Sequence, residues 1–140
     1  MKIVVRAVGK MRDRRLASLC DEYVTRVRRH LPMQIDEVED DEGLLSGLPA
    51  GAEIVALEAG GAAMTSAELA RYLERAMVSG TRAIAFLIGG ADGLGPTTVK
   101  RAQRRLSLSP LTLPHRLARV LLCEQIYRAL SIVRGEPYDH

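Results

Sequence analysis

The sequence predicts an α/β domain with a mainly parallel sheet of about five strands flanked by helices. Strand-like and helix-like segments alternate along the chain. Residues 83–88 (AIAFLI) are an uncharged apolar run, typical of a central parallel strand covered on both faces. The 140 residues suit one domain spanning 1–140. Hydrophobic residues at 47% and charged residues at 26% are near the globular average, which excludes disorder, collagen-like repeats and disulfide scaffolds.

The first half of the chain predicts two strands, one helix and a loop. Residues 2–8 are short and β-branched, as expected of a buried strand. Apolar residues at helical spacing predict an amphipathic helix over 12–30, which Pro32 ends. Residues 33–38 alternate like a half-buried strand. The acids, glycines and proline of 39–52 predict a loop.

The middle of the chain adds a strand, a helix and the central strand 83–88. Residues 53–58 (EIVALE) predict a short strand, followed by the glycines and alanines of 60–63. Thr65 and Glu68 have the spacing of a capping box, which begins a helix. The helix is expected to end at Gly80.

The last third combines irregular segments with two predicted helices. The glycine-rich turn 89–95 precedes a segment, 97–106, that predicts a helix. Residues 107–114 (SLSPLTLP) are apolar but carry two prolines, which predicts an ordered, buried loop. Residues 115–134 predict a last, largely apolar helix, and 135–140 form a tail.

The charge is uneven along the chain, although the net charge is only +3. Residues 96–134 hold eight bases and one acid, whereas 36–42 hold six acids and no base. This uneven charge is compatible with binding of a polyanion by the C-terminal third. It is equally compatible with a solvent-exposed basic face whose charge is balanced elsewhere in the protein.

The cysteines and the apolar runs predict a cytoplasmic protein without metal or membrane span. Cys20 and Cys123 match no metal-ligand or CxxC spacing, and Cys20 falls in an apolar helical stripe, which indicates a core position. No apolar run reaches the roughly 18–20 residues of a membrane-spanning helix. The N-terminus carries a charge every few residues, unlike a secretory signal.

Two segments are candidates for ligand binding. The glycines of 89–95 follow a buried strand, and open parallel sheets bind ligands at the carboxyl ends of their strands. Their spacing matches neither GxGxxG nor GxxxxGK[ST], and a tight turn requiring positive φ is the alternative. The irregular backbone of 107–114 leaves amide and carbonyl groups that a ligand, such as an adenine edge, can satisfy.

Candidate catalytic groups are few. There is no Ser/His/Asp signal, and the acids of 36–42 lie far along the chain from the glycines. The C-terminal third offers four candidates, His115, Arg128, Tyr138 and His140. Glu124 lies four residues before Arg128, so an ordinary helical ion pair is the alternative for this arginine.

Four segments resemble the ribosomal RNA large subunit methyltransferase H family. They are KIVVRAVGKM, IGGADGLG, SLSPLTLPHRLARVLLCEQIYRALSI and the PY pair near the end. Members of this family are small SPOUT-class enzymes that methylate N3 of a pseudouridine in 23S rRNA. The resemblance runs almost end to end, with a shorter loop at 39–52 than the family has. The block 106–132 is its most specific part.

The resemblance implies a fold, a cofactor and partners. The fold is an α/β knot, a deep trefoil in which the C-terminal segment threads through a loop, an exception to unknotted connectivity. The expected cofactor is S-adenosylmethionine, bound at the knot. The expected partners are 23S rRNA within the ribosome and a second copy of the chain, with both subunits contributing to each active site.

The resemblance also assigns site residues. Those expected to line the cofactor pocket are Leu57, Gly89, Leu108, Ser109, Pro110, Leu111, Thr112 and Leu113. Those expected to face the RNA and the reacting base are His115, Arg128 and Tyr138. The family ends in Pro-Tyr-His, whereas this chain ends Pro137-Tyr138-Asp139-His140. Either His140 takes the role of the displaced histidine, or that role is dispensable.

Methylating N3 requires loss of an imide proton, which a base or a positive field such as that of Arg128 would assist. The arginines of 100–105 and 116–119 are candidate ligands of rRNA phosphates.

Three alternatives stay open: a non-catalytic ribosome-associated RNA-binding protein, a small-molecule α/β enzyme, and a SPOUT methyltransferase acting on another RNA. The first requires no cofactor, the second requires no RNA, and the third differs in its substrate.

Overall fold

Five parallel strands form the sheet of the computed structural model, which describes residues 1–138. The strands are β1 (Lys2–Val8), β2 (Met33–Val38), β3 (Glu53–Ala63), β4 (Ala83–Ile88) and β5 (Arg104–Ser107). The helices are α1 (Arg14–Val27), α2 (Asp41–Leu45), α3 (Ser66–Val78), α4 (Pro96–Arg101) and α5 (His115–Arg134). The strand order is β2-β1-β4-β3-β5, and every pair is parallel. The predicted α/β class is confirmed.

The sheet is covered on both faces, as the central apolar run predicts. All six residues of β4 are buried between β1 and β3. Ile84 and Phe86 face the larger core, which α1, α3 and α5 cover. Ala85 and Leu87 join the smaller core, with Leu44 of α2. Because side chains alternate along a strand, one apolar run can feed two cores.

Helix boundaries follow their capping residues. The carboxylate of Asp13 accepts hydrogen bonds from the amides of Arg15 and Leu16, so α1 begins at Arg14, two residues after the predicted start. The hydroxyl of Thr65 accepts from the amide of Glu68 at 3.1 Å, which confirms the predicted start of α3.

Three predicted boundaries are wrong. The helix predicted over 97–106 ends at Arg101, because the following residues pair with β3 as strand β5. The strand predicted over 53–58 extends through the glycines and alanines of 60–63, so β3 ends at Ala63, with a register shift between Leu57 and Ala62. The predicted loop 39–52 contains α2, capped by the carboxylate of Asp40.

Helices α1 and α5 pack together on the larger core. Cys20 of α1 and Cys123 of α5 are both buried and both reduced, which confirms the core interpretation of Cys20. Within residues 1–138, no helix has the length and apolar character needed to cross a bilayer.

Candidate functional site

A cavity opens at the carboxyl edge of the sheet, where β4 ends at Ile88 and where β3 changes register after Leu57. One wall is the glycine turn 89–95, another is the loop after β5, and the first residues of α5 close the third side. Of the residues that the sequence predicted for cofactor binding, those lining the cavity are Leu57, Gly89, Leu108, Ser109, Leu111, Thr112 and Leu113. Pro110 belongs to the same loop but does not line the cavity.

The glycine turn is held tightly by its own backbone. The amide of Gly93 donates to the carbonyl of Gly90 at 3.0 Å, and Gly93 has a φ of +77°. A Cβ on Gly89 would lie 2.4 Å from the carbonyl carbon of Gly93. The missing side chain of Gly89 therefore makes room for Gly93, and the turn has its positive φ at Gly93 rather than at Gly89. Gly89 also lines the cavity, and its place in a cofactor pocket stays a prediction.

The acidic segment reaches the end of the glycine turn, contrary to the expectation that its acids lie far from the glycines. The carboxylate of Asp41 accepts a hydrogen bond from the amide of Gly95 at 2.8 Å and from the hydroxyl of Thr98 at 2.7 Å. A Cβ on Gly95 would lie 2.6 Å from that carboxylate, so this approach requires glycine. Asp41 thus supplies the cap for α4 that Gly95 lacks.

Helix α2, which carries Asp41, is fixed to the sheet by a buried arginine. Arg6 of β1 is 8% exposed and donates to the carbonyl oxygens of Leu44 and Ser46 at 3.3 and 2.5 Å. Its guanidinium also pairs with Asp36 at 3.1 Å. Arg6 thus fixes α2 to the sheet, and Asp41 of α2 fixes the end of the glycine turn. Because that turn is a wall of the cavity, the shape of the wall depends on residues outside the cavity.

Replacing Asp41 with alanine should loosen the glycine turn. We expect about 1–2 kcal/mol of destabilisation, the usual cost of a lost cap, with faster amide hydrogen exchange at Gly95. Glu42→Ala is the matched control, because Glu42 is the neighbouring exposed acid. Equal stability and equal exchange in the two variants would contradict the assigned role of Asp41.

The loop after β5 is ordered by its serines. The hydroxyl of Ser107 donates to the carbonyl of Ser109, and the hydroxyl of Ser109 accepts from the amide of Leu111, both at 2.9 Å. The loop is less buried than predicted, since Leu111 is 74% exposed at the mouth of the cavity. An apolar side chain in this position is one that a bound ligand can cover.

His115, the first residue of α5, lines the cavity opposite the glycine turn. Burial lowers the pKa of its imidazole, and the positive charges of Arg116 and Arg119 lower it further. Because an ordinary histidine titrates near pH 6.5, a lowered pKa leaves His115 neutral at pH 7. A neutral imidazole can accept a proton.

Arg128 of α5 and Tyr138, which follows α5, lie against each other but do not line the cavity of their own chain. Arg128 pairs with Glu124 at 2.5 Å, the helical pair that its spacing indicated. The hydroxyl of Tyr138 donates to the same carboxylate at 2.5 Å, and the Arg128 guanidinium lies 4.1 Å from the Tyr138 ring centroid. Burial and the bond to Glu124 raise the pKa of Tyr138, so it stays protonated. His140 lies outside the described residues.

Several predicted phosphate ligands have other partners. Arg119 is 2% exposed and bonds the carboxylate of Glu37 and the carbonyl of Gly9, so it is a structural residue. Arg105 pairs with Glu58. Sequence spacing could not show these partners, because each pair joins residues distant along the chain. In the part of the chain described, no group of His, Cys, Asp or Glu is placed to hold a metal ion.

Comparison with known proteins identifies relatives over the whole chain. A family model described as Predicted SPOUT methyltransferase matches residues 1–140. The chain is similar to the ribosomal RNA large subunit methyltransferase H of Sorangium cellulosum, at 48% identity over 147 residues and 100% of both chains. It is 41% identical over 153 residues to the enzyme of that name from Gemmatimonas aurantiaca, covering 99% of each.

Solved structures show the same fold at low identity. A probable methylase family protein from Haemophilus influenzae has a TM-score of 0.58 at 10% identity, over 99% of this chain and 70% of that one. The SpoU methyltransferase AviRb from Streptomyces viridochromogenes, solved with AdoMet, has a TM-score of 0.51 at 12% identity, over 91% and 57%. The full-length matches in sequence assign the family: this chain belongs to the ribosomal RNA large subunit methyltransferase H family of SPOUT methyltransferases.

Proposed function

We propose that this SPOUT methyltransferase transfers a methyl group from S-adenosylmethionine to N3 of a pseudouridine in 23S rRNA, within the assembled ribosome. The names of its full-length relatives support large-subunit rRNA as the substrate. The observation that carries the proposal is the cavity at the carboxyl end of β4 and the register shift of β3, bounded by the glycine turn and the SLSPLTL loop. Ligands of open parallel sheets bind at this edge.

The residues of the cavity fit S-adenosylmethionine. Leu57, Leu108 and Leu111 offer apolar surface to an adenine ring, and the backbone of the turn and the loop offers polar groups to its edge. Glu58 lines the same cavity, with its carboxylate paired to Arg105. When bound, the cofactor supplies an electrophilic methyl group on a cationic sulfur. The deep trefoil knot that the sequence resemblance implies stays part of this proposal.

The residues assigned to the reacting base have complementary chemistry. N3 becomes nucleophilic when its imide proton leaves, and the neutral imidazole of His115 at the cavity can accept that proton. The guanidinium of Arg128 can stabilise the negative charge that the ring then carries. Tyr138 is protonated and held beside Arg128, and because its proton goes to Glu124, its hydroxyl oxygen can accept a hydrogen bond from the base.

A homodimer brings these groups together. Arg128 and Tyr138 do not line the cavity of their own chain, so a second subunit is needed to supply them to it. Most apolar residues of α5 are buried in its own core, including Val120, Leu122 and Ile126. Those that α1 and α5 leave exposed are Leu19, Leu117, Leu121 and Ile132. Of these, Leu19, Leu121 and Ile132 are the ones that we infer a second copy covers.

A charge at this inferred interface should separate the subunits. We expect Leu121→Asp to sediment as a folded monomer at micromolar concentration and to lose methyl transfer, because each cavity then lacks its partner's residues. Val78→Asp is the matched control, since Val78 is 83% exposed on α3 and should leave the dimer intact. A dimeric Leu121→Asp protein would contradict this interface.

The function is tested by methyl transfer from labelled S-adenosylmethionine to 70S ribosomes, free large subunits and transfer RNA. We expect label in the 23S rRNA of 70S ribosomes. Label only in transfer RNA would favour a SPOUT enzyme with another substrate. Ribosome binding with no cofactor binding would favour a non-catalytic RNA-binding protein. In either case the proposed reaction would be wrong. An rRNA substrate supports a cytoplasmic location for the protein.

A further inference from the structure

A cationic groove lies beside the candidate cofactor cavity. The charged residues that line it, which we call its rim, are Arg12, Asp13, Arg14 and Arg116, and the apolar ones, which we call its floor, are Met11, Leu16, Pro114 and Leu117. The groove and the cavity meet at the start of α5, because His115 lines the cavity and Arg116, the next residue, lines the groove. We call this feature the arginine groove.

The backbone of the arginine groove is fixed by bonds from distant residues. Arg116 Nε donates to the carbonyl of Lys10 at 2.9 Å, and Arg119 Nη2 donates to the carbonyl of Gly9 at 3.0 Å. The amide of Met11 donates to the carboxylate of Glu37 at 2.7 Å, and Arg119 bonds the same carboxylate at 2.6 Å. Residues 9–11 are therefore held to both β2 and α5.

Arg12 adopts a conformation that costs free energy. Its φ is +60°, the only positive value at a non-glycine residue in the described part of the chain. A side chain in this region is sterically strained, and such strain concentrates at functional sites. The anchored residues before it and the cap of α1 after it hold Arg12 in this conformation. The exposed guanidinium is thus presented from a rigid position.

The charge at the groove is not neutralised within the described residues. Asp13 is the acid at the rim, and Arg15 already pairs with it at 3.2 Å. Arg12 and Arg14 are exposed, and across residues 1–138 neither forms an ion pair with a carboxylate. Two cations without such partners, beside a third in Arg116, form a site for anions.

We propose that the arginine groove binds the single-stranded rRNA next to the target nucleotide, with phosphates on Arg12 and Arg14 and a sugar or base on the apolar floor. A positive rim over an apolar surface is how proteins hold single strands without reading their sequence. The groove adjoins the cavity, so a strand bound there continues directly to the reacting base. This inference rests on the proposed function, and it assigns the RNA surface of that same site.

The test compares Arg12→Ala/Arg14→Ala with Arg71→Ala/Arg75→Ala, which removes the same charge from the exposed side of α3. We expect the KM for ribosomes to rise roughly tenfold in the first variant and to stay unchanged in the second. The KM for S-adenosylmethionine should not change in either. A single-strand contact contributes about 0.7 to the salt slope, so losing two should lower the slope for a labelled oligouridylate by about 1.4.

An unchanged ribosome KM, an unchanged salt slope or an equal effect of the control would overturn the arginine groove while leaving the proposed function intact. If the parental protein does not methylate ribosomes, the proposed function is wrong. The oligouridylate titration then still tests the groove, because it requires no methyl transfer. Light scattering on each variant confirms that the subunit composition is the same.

Discussion

Deleting residues 137–140 should abolish methyl transfer to ribosomes, with a loss of at least about 100-fold. The deletion removes Tyr138, whose hydroxyl and ring are held against Glu124 and Arg128, two half-buried residues of α5. Without it, the proposed dimer lacks one of the groups that each subunit supplies to the partner's cavity. The core should be unaffected, because neither Pro137 nor Tyr138, the described residues of this tail, belongs to it.

Three measurements accompany the deletion: thermal unfolding, light scattering and calorimetry with S-adenosylmethionine. All three should match the parental protein, so that the loss is confined to the reaction. Tyr138→Phe isolates the hydroxyl group, and His140→Ala tests the displaced histidine. Parental rates in the truncated protein would show that the tail takes no part in catalysis.

Replacing Gly89 with alanine should weaken cofactor binding at least tenfold and lower the free energy of unfolding by about 1–3 kcal/mol, the usual cost of overpacking. The new Cβ would lie within 2.7 Å of three backbone atoms of Gly93 and Leu94, so the turn must move. The same turn forms one wall of the cavity.

Gly60→Ala is the matched control for Gly89→Ala. A Cβ on Gly60 meets only the end of the Arg105 side chain at 3.8 Å, an ordinary contact. Calorimetry and thermal unfolding distinguish the two variants. A Gly89→Ala protein that binds S-adenosylmethionine like the parental chain would show that the turn does not shape the site.

Long periodic elements of this fold could be predicted from the sequence, whereas short ones could not. Helix α5 and strands β1, β2 and β4 have the predicted bounds, because their apolar patterns are long or uninterrupted. Strand β5 has four residues, of which two are arginines, so its pattern carries no strand signal. Its pairing with β3 decides its conformation, and that pairing is a tertiary contact.

In the candidate site, too, features with a local sequence signal could be predicted, whereas tertiary contacts could not. The glycine turn and the SLSPLTL loop could be placed at a ligand site because strand ends and prolines are local signals. The carboxylate of Asp41 at Gly95 could not, since 54 residues separate them. Nor could the burial of Arg119, whose partner Glu37 is 82 residues away. A count of charges along the sequence includes Arg119 among the arginines that could bind RNA, because the count does not show burial.

Nucleoside analysis of the RNA product tests the central proposal most directly. Ribosomes whose 23S rRNA lacks the modification are incubated with the protein and S-adenosylmethionine, and the rRNA is digested and analysed by liquid chromatography with mass spectrometry. We predict one new nucleoside, a pseudouridine carrying a methyl group on N3, at up to one per ribosome. A methyl group on any other atom or base, or no methylated nucleoside at all, would contradict the account.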